Sequence, residues 1–237
     1  MATLLVLGSK PSPCLPRARD FDALACANAS VASAAQLRLP APELTAMSAF
    51  ITNGSELGRR QLLALHGLST RTVIYVPHRV RGRTMVKRLA KRLQAWRQHP
   101  LVLKWSLHRA GFRYEAFRYY DPGYYRQLAI DLADADEALR RQIEVKSPST
   151  GVIALLLGLA DGRFDRFILS GFSFERTQAF AGDGAQPCDA KGREVNGSSP
   201  HTRTDLALLR RLHQKRGCVF TTEAQAADRA LLPLIPV

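Results

Sequence analysis

The amino-acid sequence predicts an α/β fold with a mostly parallel sheet and helices on both of its faces. Short apolar runs, such as Leu4–Leu7 and Arg166–Ser170, alternate along the chain with longer helical patterns, which is typical of parallel sheets buried between helices. The 237 residues are 46% hydrophobic and 23% charged, as expected for a globular protein. We therefore expect one domain over residues 1–237, with ligands at the carboxyl ends of its strands.

The predicted strands are short runs of apolar or β-branched residues, several of which end at a turn residue such as Gly8, Asn28 or Pro77. These strands are Leu4–Leu7, Ala23–Cys26, Ala46–Thr52, Thr72–Val76, Arg166–Ser170 and Cys218–Phe220.

The predicted helices are segments in which apolar residues recur every three or four positions, as Met85, Leu89 and Leu93 do. The polar, glycine-rich stretch Pro187–Pro200 separates two elements and predicts a mobile loop. The helices are Ala29–Leu37, Leu57–Leu68, Thr84–Trp96, Tyr124–Ile143, Thr150–Ala160 and His201–Arg216.

The basic residues are concentrated in one part of the chain. The segment Leu57–Tyr114 contains 14 Lys and Arg residues and no Asp or Glu, whereas the other 20 basic residues equal the 20 acidic residues in number. The whole net charge of +14 therefore arises in this segment. Such a segment predicts contact with phosphate, anionic lipid or nucleic acid.

Several protein classes do not fit this sequence. No apolar stretch reaches the roughly 18–20 residues of a membrane-spanning helix, and Met1–Gly8 lacks the basic leader of a secretory signal. We therefore expect a cytosolic protein. The four cysteines have no CxxC spacing, which argues against a zinc site and a disulfide framework. The glycine patterns of dinucleotide folds and P-loops are also missing.

The first candidate site residues follow the first two predicted strands. Gly8 allows close approach of a ligand to the backbone, and the turn Gly8-Ser9-Lys10 offers N–H groups and a serine hydroxyl for a phosphate. Asn28 ends the second strand, and its amide can donate to and accept from a ribose or phosphate. The simpler interpretation of Asn28 is a helix cap.

Two later segments add an anion site and a base. Ser149-Thr150-Gly151 opens an apolar helix, where hydroxyls, free N–H groups and the helix dipole favour an anion. His201 and Asp205 are four residues apart on one predicted helix, so that the carboxylate would orient an imidazole acting as a general base. An ordinary capped helix and a surface histidine are the alternatives.

These segments, in this order, resemble the sialyltransferase superfamily. The strand and turn ending in Gly8-Ser9, with Asn28 after the next strand, correspond to the large motif of the family. The most specific likeness is Lys146–Phe172, which has the Ser-Thr-Gly helix start, the apolar helix, the Asp, the strand and the Gly-Phe pair of the small motif. His201 matches the later histidine motif, whereas Asn53–Gln142 is not matched.

The resemblance implies a single Rossmann-like domain that binds a CMP-activated acidic sugar and requires no metal or other cofactor. It implies that Asn28, Ser149, Thr150 and Gly151 face the nucleotide and phosphate, and that His201 supplies the base. We also expect Gly8, Ser9, Lys10, Gly171 and Phe172 to surround the donor, and Asp205 to be a second catalytic residue. Glu175 would be the nucleophile if the enzyme retained configuration, and the alternative is a solvent-facing loop carboxylate.

A bacterial branch of related enzymes transfers Kdo during surface polysaccharide assembly and fits a chain without a membrane anchor. We therefore expect a CMP-Kdo or CMP-sialic acid donor, and a glycan or anionic glycolipid acceptor. The basic segment Leu57–Tyr114 would contact this acceptor or the inner membrane leaflet.

Two other functions remain open at this point. A nucleic-acid-binding protein would use the same basic segment, with Trp96, Trp105 and Tyr119 to stack on bases. A methyl- or phosphotransferase on a related core would bind a different nucleotide.

Overall fold

The computed structural model describes residues 1–17, 19–77, 96–175 and 197–237. Within these residues, seven strands form one sheet in which all neighbouring strands are parallel, in the order β5-β4-β3-β2-β1-β6-β7. The strands are β1 (Thr3–Leu7), β2 (Ala23–Ala27), β3 (Leu44–Ser48), β4 (Ser69–Val76), β5 (Arg113–Tyr119), β6 (Arg166–Ser170) and β7 (Val219–Thr221).

Eight α-helices within the described residues connect or follow these strands, and a short 3₁₀ helix, Ala49–Thr52, follows β3. They are α1 (Ser30–Gln36), α2 (Glu56–Ala64), α3 (Pro100–Arg109), α4 (Pro122–Ala133), α5 (Glu137–Val145), α6 (Thr150–Asp161), α7 (Thr202–Arg216) and α8 (Ala224–Ala230). The predicted fold class, a parallel sheet between helices, is confirmed. No helix in the described ranges is long and apolar enough to cross a membrane.

Both faces of the sheet are covered because the strand side chains alternate between two apolar clusters. Leu4 and Val6 of β1 pack with α6 and α7 on one face, whereas Leu5 and Leu7 pack with α1 and α3 on the other. All four side chains are fully buried. Complete burial of such a side chain contributes about 1.5–3 kcal/mol to folding, so the central strands hold the site rigidly.

The direction of chain progression across the sheet reverses at β1. From β1 the chain adds β2 to β5 on one side, and it returns with β6 and β7 on the other side. The register pairs Leu7 with both Cys26 and Ser170, so the carboxyl ends of β1, β2 and β6 lie level. Ligands of open parallel sheets bind at such a reversal.

Several predicted element boundaries were wrong, and for two of them the local cause is clear. The third strand ends at Ser48 rather than Thr52, because the serine side chain caps the 3₁₀ helix by accepting from the N–H of Phe50. The predicted helix Tyr124–Ile143 is two helices, α4 and α5, because Asp134 adopts a left-handed conformation that ends α4 and Asp136 caps α5.

Three elements were not predicted, namely α3, β5 and α8. Strand β5 lies at the edge of the sheet, is half-exposed and carries Arg113, Glu115 and Arg118, so it lacks an apolar run. The predicted helix Thr84–Trp96, apart from Trp96, and most of the predicted loop Pro187–Pro200 fall outside the described residues.

Candidate active site

A cavity of about 390 Å³ opens at the carboxyl edge of the sheet, where the strand order reverses. The segments that follow β1, β2, β3, β4 and β6 contribute to its lining, together with parts of α2 and α4 and the starts of α6 and α7. The first turn of helix α6 and the strand ends therefore face the same space.

Two glycines bring β1 and β6 into close contact at the floor of the site. The Gly8 N–H donates to the Ser170 carbonyl at 2.8 Å, and a Cβ atom on Gly8 would lie only 2.4 Å from the Gly171 carbonyl oxygen. Gly171 has a φ of +72°, a conformation that favours glycine. Gly8 is required by the close approach of the two backbones, and Gly171 is favoured by its left-handed conformation.

Asn28 is held in an unusual conformation at the end of β2. Its φ is +52°, which asparagine tolerates better than most residues. Its backbone N–H donates to the Ala46 carbonyl, and its side-chain Oδ1 accepts from the Ser48 N–H at 2.8 Å. Since the oxygen is occupied, the side-chain NH₂ group remains to donate to a ligand in the cavity that Asn28 lines.

The start of α6 presents backbone N–H groups to the cavity. Ser149 caps the helix, with its hydroxyl accepting from the Val152 N–H. The N–H groups of Thr150 and Gly151 have no carbonyl partner within the helix, and both residues line the cavity. A Cβ on Gly151 would lie 3.0 Å from the Phe172 ring, so glycine lets this ring pack against the helix start.

Asp205 of α7 is a buried carboxyl that holds the cap of α6. Its Oδ1 accepts from the Ser149 N–H at 2.9 Å, and the residue is only 4% exposed. Burial raises the pKa of Asp205 to about 7, although hydrogen bonds from Ser149 and the charge of Lys146 act in the opposite direction. The carboxyl thus connects α7 to α6 at the cavity wall.

His201 precedes α7, and its ring is oriented by the backbone. Its Nδ1 lies 2.8 Å from the Ser147 carbonyl oxygen, which can only accept, so Nδ1 carries the proton. Nε2 then has the free lone pair of a base. Burial lowers the pKa of His201, despite the opposing hydrogen bond to Ser147, and this keeps the imidazole neutral at pH 7. The expected orienting contact from Asp205 was wrong, because Asp205 binds Ser149.

Two cations adjoin this wall, and neither was among the predicted site residues. Arg126 of α4 donates from Nε to the Ser147 hydroxyl at 2.8 Å. Lys146 lies close enough for its charge to lower the pKa of both His201 and Asp205. Both line the cavity. Together with the α6 N-terminus, they make this wall electropositive.

No protein-family model matches the chain, and no curated protein matches it in sequence. Solved structures do match it. A CMP complex of a variant of the sialyltransferase CstII superposes with a TM-score of 0.55 at 15% identity, covering 100% of this chain and 87% of CstII. CstII from Campylobacter jejuni with the substrate analogue CMP-3FNeuAc gives 0.53 and 15%, with the same coverages. A complex with a trisaccharide acceptor and CMP gives 0.52 and 15%, with coverages of 99% and 86%.

The chain has the sialyltransferase fold. Its predicted donor and catalytic residues meet at one cavity of this fold, with one exception. The residues that line the cavity are Gly8, Ser9, Asn28, Ser149, Thr150, Gly151, Gly171, Phe172, Glu175, His201 and Asp205.

Lys10 is the exception. It is not part of the lining, and its ammonium pairs with the buried Glu223 carboxylate at 2.6 Å. Glu223 also accepts from the N–H groups of Cys14 and Gly171. The expected donor contact of Lys10 is therefore corrected: in this sialyltransferase fold, Lys10 helps to hold the β1 and β6 turns together.

Two further residues of the lining differ in how they are partnered. Glu175 is exposed, and its Oε1 accepts from Gln225 Nε2 at 3.0 Å. Gln61 of α2 was not predicted, and its buried Oε1 has no hydrogen-bond partner among the residues that the structure describes. A buried acceptor without a partner is costly, so a ligand that donates to Gln61 would relieve this cost.

Within the described ranges, no cluster of three or more His, Cys, Asp and Glu could hold a metal ion.

Proposed function

We propose that this protein is a glycosyltransferase that transfers an acidic sugar from a CMP donor to a glycan or glycolipid acceptor. The observation that carries the proposal is the convergence of an open helix N-terminus, an asparagine NH₂ group and a neutral imidazole on one cavity. The cavity lies in the sialyltransferase fold, and the CstII structures with this fold contain CMP or a CMP-sugar analogue.

The donor phosphate would bind at the start of α6. As the bond from the anomeric carbon to the phosphate oxygen breaks, the electron pair stays with the departing CMP. The N–H groups of Thr150 and Gly151 would stabilise that charge by direct donation, and Lys146 and Arg126 would stabilise it by charge. The Asn28 NH₂ group and the turn Gly8-Ser9 would hold the nucleotide. We propose that this arrangement serves in place of a metal ion.

His201 would act on the acceptor. An acceptor hydroxyl attacks the anomeric carbon, forms the new glycosidic bond, and gives its proton to the free Nε2 of His201. Because the Ser147 carbonyl fixes the tautomer, the base is prepared before the substrate binds. We propose this inverting route over a retaining route through Glu175, whose carboxylate is exposed and hydrogen-bonded to Gln225.

Asp205 has a different proposed role from the base. Its contact with the Ser149 N–H positions the first turn of α6, and so it supports phosphate binding indirectly. We also propose that the donor is CMP-Kdo or CMP-sialic acid and that the product belongs to bacterial surface polysaccharide. The enzyme would work in the cytoplasm, at the inner leaflet of the membrane.

Calorimetry with CMP, UDP and S-adenosylmethionine tests the donor class, and we expect heat from CMP alone. Product analysis with CMP-Kdo and CMP-sialic acid then identifies the sugar and its configuration, with and without EDTA. Salt-sensitive oligonucleotide binding without any response to CMP would favour the nucleic-acid alternative. Absence of both CMP heat and a CMP-induced thermal shift would refute the proposed transferase.

A further inference from the structure

The solvent-facing side of α3 combines apolar and basic side chains. Leu101 and Trp105 are 64% and 58% exposed, and Lys104, His108 and Arg109 are exposed beside them. These residues recur at the spacing of one helical face. We refer to Leu101, Lys104, Trp105, His108 and Arg109 together as the α3 face.

The helix is anchored from its opposite side, so the α3 face is not needed for the core. Leu103 and Leu107 are fully buried in the cluster beneath the sheet. On the exposed side, the Arg109 guanidinium lies 4.7 Å from the centre of the Trp105 ring, a cation–π arrangement. The face therefore presents an aliphatic side chain and an indole among cations on a fixed helix.

The α3 face belongs to the most basic part of the sequence. The helix lies in the segment Leu57–Tyr114, which contains no acidic residue. The next acid in sequence, Glu115 on the neighbouring strand β5, is paired with Arg71 at 3.5 Å. A cationic surface with exposed apolar side chains complements an anionic bilayer, which attracts the basic residues and accepts the apolar ones.

We propose that the α3 face docks this protein onto an anionic lipid bilayer. Leu101 and Trp105 enter the headgroup region, and Lys104 and Arg109 contact lipid phosphates. A nucleic acid fits this face less well, because the aliphatic Leu101 offers no stacking surface for a base.

The position of α3 relates the docking surface to the cavity. The Tyr75 hydroxyl of β4 donates to the carbonyl of Gln98, just before α3 begins, and the next residue of β4, Val76, lines the cavity. The start of α3 thus lies at the same sheet edge as the site. Docking through α3 would bring a membrane-held acceptor close to the cavity. This consequence rests on the proposed function, whereas docking itself does not.

Flotation with lipid vesicles tests the docking surface. The intact protein should float with vesicles of phosphatidylcholine containing about one third phosphatidylglycerol, and only weakly with phosphatidylcholine alone. The double variant Leu101→Gln/Trp105→Gln should lose at least about tenfold in vesicle partition. The control Leu234→Gln replaces another exposed leucine and should float as the unchanged protein does.

Charge reversal provides a second, independent variant. Lys104→Glu/Arg109→Glu should abolish flotation at low salt. Arg17→Glu/Arg38→Glu makes the same change in net charge at two exposed arginines elsewhere and should lower flotation much less. Added salt should weaken binding of the unchanged protein, because it screens the attraction to anionic lipid.

Other outcomes would overturn the proposal. The first is equal flotation of the α3-face variants and their controls, and the second is no binding of the unchanged protein to anionic vesicles. The third is binding to an oligonucleotide, without vesicle binding, that the α3-face variants abolish. The fourth is a dimer that only the α3-face variants dissociate. A CMP-induced thermal shift is measured on every variant. Its retention shows that the variants fold, and its absence from the unchanged protein would contradict the proposed transferase without affecting the docking result.

Discussion

The stability of the Asp205→Asn variant, relative to that of the unchanged protein, should increase as the pH rises. Asparagine has the same shape, and its oxygen can still accept from the Ser149 N–H. It cannot ionise, however, and so it avoids the cost of a buried charge. The variant should therefore keep the α6 cap while losing the pH dependence that Asp205 confers.

The size of the effect follows from the pKa of Asp205, which burial raises from 3.8 to about 7. Between these values the folded protein holds a proton that the unfolded chain has lost, so the stability contributed by this carboxyl falls as the pH rises through that window. Between pH 5 and pH 8 the loss is about 3 kcal/mol. The free energy of unfolding of Asp205→Asn, relative to that of the unchanged protein, should rise by this amount.

Urea unfolding measures the difference in unfolding free energy between the variant and the unchanged protein at pH 5 and again at pH 8. In thermal unfolding, the difference in Tm between the two proteins should change by about 6–12 °C between these pH values. Asp131→Asn serves as the control, because it removes an exposed carboxylate from α4 and should give the same difference at both pH values. Any fixed cost of the asparagine amide cancels between the two measurements. A difference for Asp205→Asn that stays constant from pH 5 to pH 8 would show that Asp205 is ionised throughout, and the reasoning would be refuted.

Three further predictions concern the cavity. His201→Ala should lower kcat by about 10²–10⁴-fold, whereas calorimetry should show a change in CMP affinity of less than about twofold. Because burial lowers the pKa of His201, the unchanged enzyme should lose activity only below pH 6.5. An alanine variant that stays active would show that His201 is not the base. Gly8→Ala places a methyl group 2.4 Å from the Gly171 carbonyl, so unfolding free energy should fall by about 1–3 kcal/mol and the CMP-induced thermal shift should weaken. Gln61→Met removes an unpartnered buried acceptor, which should raise the Tm while lowering kcat/KM about tenfold; a variant with unchanged kcat/KM would show that Gln61 does not contact substrate.

Much of the site could be predicted because its chemistry is local in sequence. Ser149-Thr150-Gly151 shows a cap and an open helix start within three residues, and Gly8 follows a clear apolar strand. Arg126 and Gln61 were missed because nothing beside them in the sequence distinguishes them from other surface residues of a helix. Only the packing of α4 and α2 brings these two side chains to the cavity.

Sequence by itself determined the parallel α/β architecture and the start of α6, because apolar spacing and capping act over a few residues. Tertiary structure decided the partners. It assigned the Ser147 carbonyl to His201 across 54 positions, Asp205 to Ser149 across 56, and Lys10 to Glu223 across 213. Such pairings depend on how distant elements pack, and a backbone carbonyl is present at every residue, so residue type alone does not reveal which carbonyl orients an imidazole.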